Sequence, residues 1–301
     1  MMKITALLAA LLLAFSAVPA LAPAEEAVIP TDRAREQEAL LKSAESYTKV
    51  VSILGKNYLY FAQNSPEWTQ LFSQEGRRNN LRFGDSGCAI AAFANACVNV
   101  LPMERLREID GIMQSPVYVD TFCLARRYGK DEDRFRIESD ADRLRFWPLT
   151  VANMAAGNNT FHFRTDRSPG FYKYVLDHFG LRYLYTPDVE TTLAALREGA
   201  VAISCSSGNS SPISTVGHFF TLVAADDEYV YILDSYVRDR FKRDTRHIIE
   251  IVEPGVLRVA LKDLRRVGLQ TQRIIWPAEG ATRYTPRLLE EIIRESDAQV
   301  Q

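Results

Sequence analysis

Apolar residues fall at helical spacing from Cys88 to Leu101, where Ile90, Phe93, Cys97 and Leu101 share one face of an Ala-rich segment. The same period returns in Phe171 to Phe179, ended by Gly180, in Val189 to Glu198, ended by Gly199, and in a terminal helix carrying Leu288, Leu289, Ile292 and Ile293. Elsewhere the pattern shortens to extended runs: Tyr58 to Ala62, Arg182 to Tyr185, Ala200 to Cys205, Gly217 to Ala225 and Tyr229 to Leu233. Three more follow at His247 to Val252, Val256 to Leu261 and Thr271 to Trp276. Asp226-Asp227-Glu228 between two of these runs predicts a hairpin. Helices first and antiparallel strands later predict an α+β fold. Thr31 or Asp32 followed by good helix formers up to Leu54, with Gly55 as a stop, predicts a long charged N-terminal helix. Pro102 to Asp166 mixes charge, aromatics and turn signals such as Gly157-Asn158-Asn159, and reads as an insertion with some helix.

The first residues carry a different signal. A short basic start (Met1, Met2, Lys3) precedes an apolar run from Ile4 to Val18, and Ala20, Ala22 and Ala24 offer small residues for cleavage. This is the pattern of a secretory signal peptide. The run is shorter than the roughly 20 residues a spanning helix needs, and Pro19 interrupts it. The expected mature chain is exported, either secreted or periplasmic, without stable membrane insertion. With 36 basic and 38 acidic residues in 301, the net charge of −2 gives no excess to drive phosphate-backbone binding, which argues against nucleic acid as a partner. The four cysteines include no C-x-x-C pair, no two histidines have metal-ligand spacing, and no Gly-rich phosphate loop is present, so the sequence asks for no metal and no cofactor.

Cys88 stands at the predicted start of a helix, after the turn Gly84-Asp85-Ser86-Gly87, where free backbone N–H groups and the helix dipole favour a thiolate. A Cys in such a place often serves only as a small buried hydrophobe; a nearby base changes its meaning. His218 opens one strand of the predicted hairpin and Asp234 ends the other. A three-residue loop sets Ala225 opposite Tyr229, Phe220 opposite Asp234, and His218 one diagonal step away on the same face. A two- or four-residue loop puts them on opposite faces, so the geometry needs an odd count, as a bulged hairpin supplies. On a shared face, the carboxylate can orient the imidazole, and Asn at 234 would still accept its N–H bond.

Gln63 with Pro66 and Trp68, Gly87-Cys88 opening a helix, Gly217-His218-Phe219-Phe220, and Asp234 together resemble the papain-like cysteine peptidases. They are most similar to the bacteriocin-processing (double-glycine leader) branch, family thirty-nine, and its secreted relatives. The resemblance spans Tyr58 to Val98 and Phe171 to Ser235. It implies a nucleophile helix packed on a C-terminal antiparallel sheet and a peptide or protein substrate. It further implies a Cys88-His218-Asp234 triad, with Gln63 as an oxyanion-hole donor beside the Cys88 N–H. The papain spacing puts its Gln six residues before the nucleophile; Arg82 stands there, leaving Gln63, or Gln70 or Gln74. The sequence also departs in the long segment 102–166 and at Ser235, where such relatives often have Pro. The implied organisation is a signal peptide (1–24), an N-terminal helix (25–57), a papain-like domain (58–277) and a C-terminal helix (278–301).

The remaining candidates carry weaker signals. Ser86 in Gly84-Asp85-Ser86-Gly87 is similar to the serine-peptidase nucleophile signature, but the first histidine, His162, lies well downstream instead of upstream. Cys97 falls on the apolar helix face, and Cys97, Cys123 and Cys205 cannot all pair internally. His162 between two phenylalanines, His178 at a helix end and His247 beside a basic run read as structural or solvated. A transglutaminase-like acyltransferase or a wall-peptide amidase uses the same three groups, and a catalytically silent binding module is the alternative of another class. The N-terminal pattern makes its own prediction: sequencing the exported protein should find a start between Leu21 and Glu25. A chain that begins at Met1 and stays with the membrane fraction would establish an anchor instead.

Overall fold

A computed structural model of the chain describes residues 48–66, 68, 83–113, 137–157, 176–177, 180–207, 211–270 and 272–299. The first half supplies β1 (Lys49–Ile53), β2 (Lys56–Tyr60), a four-residue helix α1 (Phe83–Ser86), α2 (Cys88–Val98), α3 (Met103–Met113), α4 (Asp140–Arg145) and α5 (Trp147–Gly157). The second half adds β3 (Tyr183–Thr186), α6 (Val189–Arg197), β4 (Val201–Ser206), β5 (His218–Ala225) and β6 (Tyr229–Asp234). It continues with β7 (Ile249–Glu253), β8 (Val256–Ala260), α7 (Leu264–Val267), β9 (Gln272–Ile275) and α8 (Pro286–Gln299). Strands β3 to β9 make one antiparallel sheet in the order β3-β9-β4-β5-β6-β8-β7, and β1 pairs with β2 separately. The architecture is α+β.

The sheet is covered on both faces, which is why every residue of β5 is buried and its sequence shows little alternation. Phe219 and Val223 enter one apolar cluster with Ile90, Phe93 and Cys97 of α2, while Phe220 and Leu222 join Leu193 and Leu196 of α6 in another. Helix α2 is buried all round, not only along the face at 90, 93 and 97, because its alanines let neighbours approach from every side. The Thr221 hydroxyl donates to Ala92 O at 2.8 Å, and Trp147 Nε1 donates to Ala94 O at 3.2 Å.

Two asparagines one helical turn apart fix the chain that leads into the site. Asn95 accepts from Phe61 N at 2.7 Å and donates to Phe61 O at 2.9 Å. Asn99 does the same for Leu59, at 2.8 Å in each direction. The two side-chain amides thus act as a missing strand for an extended segment that lies on a helix.

Two sequence expectations change. The helix expected over 25–57 is, from Lys49 onward, the β1–β2 hairpin; residues 25–47, like the expected signal peptide, lie outside the described residues. Leu54 and Gly55 form its two-residue turn with φ of +50° and +74°, so the glycine that looked like a helix stop closes a hairpin. The segment 102–166 is not peripheral where it is described. Leu106, Ile109, Leu144, Trp147 and Val151 belong to the same core as α2, so α3 to α5 are part of the body of the fold. The expected C-terminal helix is present as α8, with Leu289 and Ile292 packed on that core. Of Phe171 to Phe179, only Leu176 and Asp177 are described, and both are helical.

Replacing Asn95 by Ala strands the buried N–H and C=O of Phe61. Stability should fall by about 2–4 kcal/mol, measured as a drop in urea midpoint at unchanged slope. A loss below about 0.5 kcal/mol would show that Phe61 is held in place by other contacts.

Candidate active site

Helix α1 abuts α2 through Gly87, whose N–H donates to Phe83 O at 2.7 Å. A Cβ at this position would lie 2.5 Å from the Phe83 ring, so only glycine permits the join. No side chain caps α2, which leaves its leading backbone N–H groups free of any side-chain acceptor. Cys88, the first residue of α2, is half-buried while every later residue of the helix is buried.

The β5–β6 hairpin brings the base and the carboxylate together. Near the turn, Ala225 pairs with Val230 and Ala224 with Tyr231; farther along, Leu222 pairs with Ile232 and Phe220 with Asp234. Asp226 N donates to Tyr229 O at 3.0 Å, so the turn itself is even and alone would set His218 and Asp234 on opposite faces. Val223 is the extra residue, a bulge that shifts the register by one and restores the shared face. The expected pairing of Phe220 with Asp234 therefore comes from the bulge and not from a three-residue loop. The Tyr58 hydroxyl donates to Val223 O at 3.0 Å and anchors the bulge to β2.

His218 Nε2 lies 2.5 Å from Asp234 Oδ1, and the Cys88 side chain is another electrostatic neighbour of the ring. Burial opposes a charge on the ring, but the Asp234 carboxylate and the Cys88 sulfur outweigh it and push the His218 pKa from 6.5 up to about 9. Asp234 is 1% exposed. Its Oδ1 also accepts from Tyr236 N at 3.2 Å, and its backbone is tied on both sides: Asp234 N donates to Gly255 O at 2.8 Å, and the Tyr60 hydroxyl donates to Asp234 O at 2.7 Å. Gly255, at φ +85°, is required twice, since a Cβ would also meet the Tyr60 ring at 2.3 Å.

Gln63 joins both halves of the site. Its backbone N donates to Ser235 O at 2.6 Å, and its Nε2 donates to Gly84 O at 2.7 Å, in the helix that leads to Cys88. The side-chain amide is buried beside α1 with one N–H committed to Gly84, leaving the second for another acceptor. Gln70 and Gln74 lie outside the described residues. Asn64 extends this seam by a fork to Val237, donating to its O at 3.0 Å and accepting from its N at 2.9 Å.

The sequence reading missed Arg238. Its Nε stands 3.0 Å from Asp234 Oδ2, an ion pair whose alignment falls short of a hydrogen bond, and its Nη2 lies 3.1 Å from His218 Nε2. The available signal was its position four residues after Asp234, hidden in a basic run that reads as solvated surface. Cys97 is a buried thiol with its pKa pushed up by burial, and Cys205 is a half-buried one. His247 is exposed, while Cys123, His162 and His178 lie outside the described residues. Among the described residues no group of His, Cys, Asp and Glu could hold a metal ion. No family model matches the chain, and no curated protein matches it either.

A pH test follows from the His218 environment. A raised folded-state pKa contributes stability that is fully present below about 6.5, declines above it, and is gone once pH passes about 9. The urea-midpoint advantage of the wild type over His218→Gln should therefore shrink steadily from acid to alkaline pH. A constant or widening gap would refute a protonated ring in the folded protein.

Proposed function

We propose that the chain is an exported, papain-like cysteine hydrolase that cleaves peptide bonds. The grouping of Cys88, His218 and Asp234 carries this reading, because a thiol, an imidazole and a buried carboxylate in that order form an activated nucleophile. Cys88 Sγ, as the thiolate whose proton His218 already holds, attacks the carbonyl carbon. The tetrahedral oxyanion is held by the Cys88 N–H and the free N–H of Gln63. His218 then returns the proton to the departing amine, leaving a thioester. Water, deprotonated by His218, attacks the thioester and releases the carboxylic acid and the free thiol. Asp234 holds the Nε2 proton of His218 throughout, so that Nδ1 faces the thiol. The substrate is a peptide or protein, and the chemistry uses no cofactor. Export rests on the N-terminal sequence pattern; among the described residues, no helix is long and apolar enough to cross a membrane.

Iodoacetamide at neutral pH should modify Cys88 ahead of Cys205 and Cys97, as read by peptide mapping, and should abolish peptide cleavage in proportion to labelling. His218→Ala should slow turnover by about 10²- to 10⁴-fold with an unchanged circular dichroism spectrum. Preferential labelling of another cysteine, or full turnover in His218→Ala, would remove the hydrolase reading. Peptide product made as an amide in the presence of an added primary amine would assign transfer in place of hydrolysis.

A further inference from the structure

Arg238 touches two members of the site and has no role in the reaction as written. The side chain is held in place before it reaches them. Asn64 forks onto Val237, and the guanidinium stacks over Tyr236 at 5.1 Å and Phe241 at 4.7 Å. From that mount its Nε stands 3.0 Å from Asp234 Oδ2, the oxygen that His218 does not use, and its Nη2 donates to Oδ1 at 3.5 Å beside the ring. Its Nη2 also lies 3.1 Å from His218 Nε2. Nε2 gives its proton to Asp234 at 2.5 Å, so this second contact sets two N–H donors against each other. It is a contact between like charges whenever the ring is protonated. Asp234 thus serves two cations at once, and only a full negative charge keeps them together.

We propose that Arg238 is a positioning residue that holds the Asp234 carboxylate for His218 and whose charge makes a carboxylate, not an amide, obligatory at position 234. The inference rests on the cysteine-hydrolase reading of the same site. With Asp234 in place, the charges around the ring cancel apart from its own. With Asn there, the guanidinium is unopposed beside Nε2 and drives the ring toward its neutral form. The thiol on the far side of the ring then loses the imidazolium that stabilises its anion, and Cys88 becomes slow. This reverses the expectation that Asn at 234 would serve nearly as well. The charged and titratable groups against the ring, among the described residues, are Cys88 from α2, Asp234 from β6, and Arg238 from the segment after β6.

The test is the rate of Cys88 alkylation by iodoacetamide at neutral pH on the full chain, with labelling of buried Cys97 as the check on folding. Asp234→Asn should be slowed on the order of 100-fold, and adding Arg238→Gln should recover about tenfold of that loss by removing the unopposed charge. Adding Arg238→Lys instead keeps the charge and should recover nothing. A double variant with Gln as slow as Asp234→Asn, or equal recovery with Lys, would overturn the proposal and leave Arg238 a structural contact. Should Asp234→Asn expose Cys97 to labelling, the alkylation profile of Arg238→Gln alone decides. Its alkaline limb should move up by about one pH unit, and an unmoved limb would overturn the proposal. Failure of the hydrolase reading looks different: His218→Ala would then alkylate as fast as wild type, and the Arg238 proposal would fall with it.

Discussion

A carboxylate at 1% exposure imposes a constraint on everything around it. An ionised group taken from water into a protein interior costs several kcal/mol after relaxation, and only opposing charge and directed hydrogen bonds offset that cost. Around Asp234 the fold supplies an imidazole, a guanidinium and a backbone N–H for the side chain, and a hydroxyl and a carbonyl for the main chain. They come from four separate parts of the chain. His218 opens β5, Tyr60 ends β2, and Gly255 lies in the β7–β8 turn, so the buried charge acts as a node where the sheet, the N-terminal hairpin and the loop after β6 meet.

The phase of that node depends on one residue. An even turn and no bulge would rotate Asp234 away from His218, and the charge would then be buried without its partner. Val223 prevents this, and Tyr58 holds the bulged carbonyl from outside the sheet. The β1–β2 hairpin is thus tied to the site at two points by tyrosine hydroxyls, one on the bulge and one on Asp234 itself. Asn95 and Asn99 hold the end of the same hairpin against α2, whose first residue is Cys88. Cys88 and His218 are therefore referenced to a common segment rather than to each other alone.

Much of the second half was legible because short strands, turn residues and stop glycines mark their own ends: α6, β4 and the β5–β6 hairpin lie close to their expected positions. Cys88, His218 and Asp234 could be proposed as a group because their types and element ends are local features. The strand β1 was not legible, since Lys49 to Ile53 suits a helix end as well as a strand and only the positive φ of Leu54 decides. The packing of α3 to α5 depends on long-range burial that periodicity does not encode. Arg238 was hidden because the sign of a charge is visible in a sequence but its distance to a carboxylate is not.

The Tyr60 hydroxyl reaches the Asp234 carbonyl across 174 positions of sequence. Contacts of such separation form after local ones, because the intervening chain must first lose its freedom. Helix α2 precedes the later strands in the chain, so Cys88 is synthesised before His218 and Asp234, its neighbours in the fold. A chain still emerging from a ribosome therefore carries this thiol without its imidazole and carboxylate neighbours. The group is completed only by the same strands that close the core.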